Sequence, residues 1–212
     1  MLLSDFGGFV SAVVIKLGSQ GGTDMEYQVR KYQLFSVCGL NCGLCPRYHS
    51  DGKSKCPGCA GNGFSAVHPS CGVLSCCQRK GIEYCYQCEE YPCKKYDGAD
   101  LSDSFITHKN QFRDLEKAKR IGMERYEAEL NEKVCVLEKL LKSYDDGRRK
   151  GFYCVAVNLL DLDDIRIVME QIDGAVSSYS PLKDKAAAGV RLFEDIAEKR
   201  GISLKLRKKT KE

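Results

Sequence analysis

Eleven of the thirteen cysteines lie between Cys38 and Cys93. They read Cys38-x3-Cys42-x2-Cys45, Cys56-x2-Cys59, Cys71-x4-Cys76-Cys77 and Cys85-x2-Cys88-x4-Cys93. The pairs Cys42/Cys45, Cys56/Cys59 and Cys85/Cys88 have C-x-x-C spacing. Two thiolates three residues apart project from one tight turn and grip one metal ion, as in the knuckle of a zinc ribbon. One knuckle carries little weight. Three in so short a segment, with further cysteines around them, predict a metal site and point to two.

Zinc takes four thiolates in a tetrahedron and contributes folding free energy directly. Iron–sulfur clusters are held by the same ligand. The spacing Cys38-x3-Cys42-x2-Cys45 is that of radical S-adenosylmethionine enzymes, but those need a large α/β barrel downstream. Here more cysteines and then helical patterns follow. The ferredoxin run C-x2-C-x2-C-x3-C-P is absent as well. Structural zinc at two sites is the first expectation, and an iron–sulfur cluster the alternative.

Other residues carry weaker signals. His68, between Cys59 and Cys71, could complete a Cys3His site, although ample cysteine makes a solvated loop histidine the simpler reading. His49 and His108 say less. Arg148, Arg149 and Lys150 precede a helical pattern and form a candidate anion site; the plainer reading is a charged turn. Cys154 sits in an apolar run, either as a small core residue or as a thiol facing the module. Cys135 lies beside a helix seam, where a structural role is expected. The tail residues Lys205, Arg207, Lys208, Lys209 and Lys211 invite a nucleic-acid reading, although a solvated basic end is commoner. Tyr48, Tyr84, Tyr86, Tyr91 and Tyr96 are expected to pack around metal sites rather than to stack bases. No Ser/His/Asp set, phosphate-binding glycine loop or persuasive carboxylate pair is present.

The elements that must position the cysteines follow from composition. Residues 1–24 read as a Gly- and Ser-rich tail, with Met25 as an alternative start of translation. Residues 25–98 form the cysteine module, rich in turn residues such as Gly39, Gly43, Pro46, Pro57 and Gly58. Its large aliphatics are too few to offset the chain entropy alone, so a metal staple is expected. Residues 99–212 read as a helical domain with a basic tail. Expected helices cover 104–120, with Phe105, Phe112, Leu115 and Ala118 inward, and 123–144, with a seam of Tyr126, Leu130, Val134, Leu137, Leu141 and Tyr144. The run Phe152 to Leu160 is read as a buried helix. Asp161 or Asp163 caps the next helix. Ser180-Pro181 starts the last one, with Leu182, Ala186, Val190, Phe193 and Ile196 inward, and Gly201 stops it. Residues 202–207 suggest a short strand.

Net charge is +4, too mild to argue for nucleic acid. The amino terminus lacks a basic region before its short apolar run, and no stretch reaches the roughly eighteen apolar residues of a membrane span. Cysteine in knuckles and in odd number suits metals better than disulfides. A cytosolic protein is expected.

The runs CGLNCGLCPRY, CPGC, QRKGIEYCYQCEEYPC and DGRRKGFYCVAVNLL resemble an uncharacterised cysteine-rich family of unknown function from bacteria and archaea, anaerobes in particular. The resemblance spans roughly residues 33 to 207. It implies a cytosolic metal-binding protein, with zinc the metal its cysteines suggest. It implies as ligands Cys38, Cys42, Cys45, Cys56, Cys59, Cys71, Cys76, Cys85, Cys88 and Cys93, with Cys77 an addition to the pattern. Expectation therefore settles on a small metal-stapled Cys-rich module plus a mostly α C-terminal helical bundle. Its role would be structural zinc binding, with the helical half as the surface for a protein partner. An iron–sulfur redox protein is the alternative, and a zinc-ribbon nucleic-acid binder the third reading.

Overall fold

The computed structural model describes residues 27–177 and 179–209. The tail over 1–24, the alternative start at Met25 and the end of the basic tail at Lys211 lie outside the described residues. Seven α-helices and no strand occur among the described residues. In the cysteine-rich part are α1 (Phe64–Val67) and α2 (Gly72–Lys80), with short 3-10 turns at Cys42–Leu44, Gly52–Ser54, Cys85–Gln87 and Lys94–Tyr96. The second part holds α3 (Gln111–Ile121), α4 (Met123–Ser143), α5 (Lys150–Leu159), α6 (Leu162–Ala175) and α7 (Leu182–Lys199). No helix among the described residues is long and apolar enough to cross a membrane.

The long helix α4 is the spine. Its three- and four-residue apolar steps bury Tyr126, Leu130, Val134 and Leu137 on one face, against α3 and α5. Near its end Leu140 is buried, while Leu141 is only partly covered. Helix α5 is buried almost all round, as its continuous apolar run implied. Helices α6 and α7 pack on one another. Asp161 is the N-cap residue of α6, and Gly201 follows α7 at φ 65°.

Three sequence expectations are corrected. The helix expected over 104–120 starts at Gln111, because residues 104–110 are held as a loop by the Asp103 carboxylate, which accepts from the His108 amide at 2.8 Å. Phe105 on that loop is 64% exposed rather than inward. Phe112 packs sideways on Tyr96, ring centroids 5.1 Å apart. Residues 202–207 form no strand: the backbone bond from the Asp103 amide to Arg207 O at 2.9 Å is not continued into a ladder, and the carbonyls of Ser203 and Lys205 accept instead from Lys109 Nζ at 2.8 Å each. Leu182, expected inward, is exposed.

The core is continuous across the chain. Phe35, Leu44, Leu74 and Tyr84 of the cysteine-rich part are fully buried in the same cluster as Leu115, Leu137 and Leu140. Counting aliphatics in the module alone missed this. The module does not need a core of its own, because it lends its few large residues to a shared one.

Candidate metal centres

The chain is folded so that each cysteine group leaves a tight turn. The Ser36 amide donates to Leu40 O at 2.8 Å and the Gly39 amide to Ser36 O at 3.1 Å, closing the loop that presents Cys38. Gly39 has φ 94°, and a Cβ there would strike the backbone carbonyl of Gln111. The 3-10 turn that follows sets Cys42 and Cys45, with the Cys45 amide on Cys42 O at 3.1 Å. In the Cys56-Pro57-Gly58-Cys59 knuckle, Gly58 has φ 85°, and its missing Cβ would lie 2.6 Å from Gln33 O. The Cys59 amide donates to that same carbonyl at 2.9 Å. Cys71 is the N-cap of α2, its Sγ accepting from the Leu74 amide at 3.5 Å.

These turns bring Cys38, Cys42, Cys45, Cys56, Cys59 and Cys71 around one cavity of about 340 Å³. Its remaining wall is largely apolar, with Val37, Leu40, Phe64 and, from the loop before α3, Phe105 and Ile106. Burial pushes the Cys38 thiol up to about 12, eased by the Ser36 hydroxyl 3.1 Å from its sulfur. Burial also pushes Cys42 well up, with Cys59, Cys38, Cys45 and Cys56 as charged-state neighbours. Cys45 and Cys59 are raised by burial too. The Arg47 and Tyr48 amides aimed at Cys45 oppose this, as do the Arg30 guanidinium and the Val37 amide at Cys59. Such thiols give up their protons when a cation takes the protons' place.

The other five cysteines form a second group. Helix α2 carries Cys76 and Cys77 and ends at Gly81 in the left-handed region. The turn Cys85–Gln87 and its continuation supply Cys85, Cys88 and Cys93. Together they line a cavity of about 40 Å³. Cys77 and Cys85 stand 3.5 Å apart, sulfur to sulfur. Their hydrogen bond lowers Cys85 to about 7 against the pull of burial, and raises Cys77. Lys80 Nζ donates to Cys88 Sγ at 3.2 Å. Cys77, which the family pattern set aside, is 2% exposed and touches Cys85 directly.

All thirteen cysteines are free thiols. Among the described residues, no three Cys, His, Asp or Glu side chains are arranged as they stand to hold a metal ion. Thiols dominate the donors of both groups, with Glu90 at the smaller cavity and His68 and His108 at the larger, a set that suits zinc and iron–sulfur centres.

The other candidate residues have structural partners. His68 stacks on Phe64, centroids 4.4 Å apart, at the rim of the larger cavity, and its Nδ1 sits 2.7 Å from Pro69 O. Lys150 Nζ donates to His49 O at 2.7 Å and Ser50 Oγ at 3.0 Å, tying the loop between Cys45 and Cys56 to the start of α5. Asp145 accepts from the Gly147 and Arg149 amides at 2.9 and 2.8 Å, so the anion at this helix start is the chain's own. Arg149 pairs with Asp146 at 3.7 Å, and Arg148 is exposed. Cys154 is buried, and burial pushes its thiol up, with Cys45 as a charged-state neighbour; Cys135 is exposed rather than structural. In the tail, Arg207 is spent on the Asp103 carboxylate, with Nη2 2.9 Å away.

Several positioning residues gave no sequence signal. Asn41 precedes Cys42 and bonds Asp114, Asn158 and Tyr126. Gln111 Nε2 donates to Cys38 O at 2.9 Å. Asp103 and Arg207 hold the loop that carries Phe105. In sequence, each is one polar residue among many, Arg207 standing out only as one cation of the basic tail.

No curated protein and no solved structure matches this chain. The resemblance noted in the sequence is met over a shorter stretch than expected, one that takes in all eleven clustered cysteines and both cavities' thiols. Residues 34–98 match the model of the family described as a protein of unknown function, DUF3795.

Proposed function

We propose that this chain is a metal-binding protein whose thiolates form two separate centres. One comprises Cys38, Cys42, Cys45, Cys56, Cys59 and Cys71, the other Cys76, Cys77, Cys85, Cys88 and Cys93. The observation that carries the reading is this partition: the eleven cysteines scattered over the module collect around two cavities, six at one and five at the other, with none shared. Structural zinc is the metal of the five-cysteine centre. At a Zn–S distance near 2.3 Å, tetrahedral sulfurs lie ~3.8 Å from each other. Cys77 and Cys85, at 3.5 Å, already have nearly that spacing. A zinc ion there would fasten α2 to the turn that packs on α3. The helical half is left as the surface for a protein partner, with Ile167, Tyr179 and Leu182 exposed on it.

The test is metal analysis of the full chain purified without oxygen, alongside a Cys88→Ser variant. Bound metal in the wild type and loss of about one zinc in the variant support the reading. A metal-free wild type whose melting temperature does not move when zinc or ferrous iron is added defeats it.

A further inference from the structure

We infer that the six-cysteine cavity holds a polynuclear iron–sulfur cluster rather than a single zinc ion. The inference rests on the reading of two thiolate centres and concerns what distinguishes them. A lone zinc ion fills the space between four touching sulfurs and leaves no room beside it. The cavity of about 340 Å³ has room for a group many times the size of one water molecule, which needs ~10–15 Å³ on the same measure. The five-cysteine cavity, at about 40 Å³, does not. Cluster thiolates bind separate irons, so they must stand around a volume instead of meeting at a point.

Three further features suit a cluster. Cys42 has four other thiols of the group as electrostatic neighbours, Cys59, Cys38, Cys45 and Cys56. Backbone amides are directed at the sulfurs of Cys38, Cys45 and Cys59, the kind of bond that tunes thiolate-held clusters. A cluster with its thiolates is a net anion, and two guanidinium groups flank the ring, Arg30 at Cys59 and Arg47 at Cys45. Arg47 also lies over the Phe105 ring, 5.3 Å from its centroid, where that ring borders the cavity.

The experiment measures iron, zinc and acid-labile sulfide, with a visible spectrum, on the full chain purified without oxygen. The same chain is also reconstituted with ferrous iron and sulfide. The expected result is a brown protein with iron and sulfide in equal amounts beside about one zinc. Cys42→Ser is expected to lose iron and sulfide and keep zinc. Cys88→Ser is expected to lose zinc and keep iron and sulfide. A colourless protein with about two zinc and no sulfide, before and after reconstitution, overturns the cluster and leaves the two-centre reading standing. Absence of every metal in both preparations overturns both. Should Cys42→Ser fail to fold, the sulfide content of the wild type decides alone.

Discussion

Asn41 donates from Nδ2 to the buried carboxylate of Asp114 at 2.7 Å, joining the first cysteine turn to α3 across seventy-three positions of sequence. The same amide nitrogen reaches Asn158 Oδ1 of α5 at 3.0 Å, and Asn41 Oδ1 accepts from Tyr126 of α4 at 2.9 Å. Asn110 adds a bond to Asp114 at 3.2 Å. One side chain beside Cys42 therefore fixes the turn against three helices. Its partners are buried, and Asp114 and Asn158 share Asn110 as a second donor.

Asn41→Ala removes the Tyr126 hydroxyl's acceptor and cuts Asp114 back to its bonds from Asn110 and Arg113, a cost of about 1–3 kcal/mol. Urea unfolding is expected to show a loss of about that size. Lys139→Ala, which breaks an exposed pair with Asp173 at 2.9 Å, should cost less than about 1 kcal/mol. Equal losses from the two substitutions would mean that the buried network does not hold the turn.

Arg207 is expected to control access to the larger cavity. Its backbone amide donates to Asp103 Oδ2 at 2.7 Å and its side chain to Asp103 Oδ1 at 2.9 Å. Asp103 sits at the start of the loop carrying Phe105 and Ile106. Burial alone would raise the Asp103 carboxyl, but the Arg207 bonds and the His108 amide hold it below its ordinary value. Its contribution to stability is present above the unfolded carboxylate range and is lost as pH falls through the lowered folded value. Arg207→Ala removes a charged hydrogen bond worth about 1.5–3 kcal/mol, so thiol modification in the metal-free protein should speed up by roughly tenfold or more. Modification at the wild-type rate would show that the tail does not pin the loop.

The halves of the fold were unequally legible in the sequence. The seam Tyr126, Leu130, Val134 and Leu137 could be read because helical burial repeats at a fixed step. The cysteine turns could be read because C-x-x-C and glycine positions constrain the backbone locally. What could not be read was which knuckle faces which. Cys56 and Cys59 meet Cys38 and Cys42 through the bond from Cys59 N to Gln33 O, a tertiary contact with no period or motif. The docking by Asn41 and Asp114 was hidden for the same reason, since a buried polar residue looks like a surface one until its partner is known. Residues 104–110 were misread as helix because Phe105 fell at a helical spacing from Phe112, while the loop is set by the distant Asp103–Arg207 pair.

Cys85 should respond to pH well before Cys38 in the metal-free protein. Its hydrogen bond with Cys77 holds it down to about 7, whereas burial holds Cys38 up at about 12. The thiolate is the species that reacts with alkylating agents. Iodoacetamide labelling followed by peptide mass spectrometry is expected to show Cys85 labelling rising through neutral pH while Cys38 stays unlabelled. Cys77→Ala removes the bond, leaves only the Tyr96 hydroxyl to oppose burial, and should move the Cys85 midpoint upward. A midpoint indifferent to that substitution would mean that the 3.5 Å contact does not stabilise the thiolate.

Lys133 offers a test that does not touch the cysteines. Its Nζ donates to Leu160 O at 2.6 Å, and burial lowers it from 10.5 to about 8. Asp114 and Asp161 oppose that fall, while Arg113 and Lys117 add to it. Between about 8 and 10.5 the folded chain binds fewer protons at this site than the unfolded chain, so stability from Lys133 rises with pH across that window and is flat below it. A shift of this size corresponds to at most about 3 kcal/mol. Unfolding curves for the wild type and Lys133→Met, measured under reductant at matched pH, cancel the thiol contributions common to both. The wild type is expected to gain on the variant as pH is raised past about 8, because the buried ammonium loses its proton and its desolvation cost with it. A stability difference that stays constant through the window would mean that Lys133 keeps its ordinary affinity for the proton, and that its charge is solvated despite the bond to Leu160.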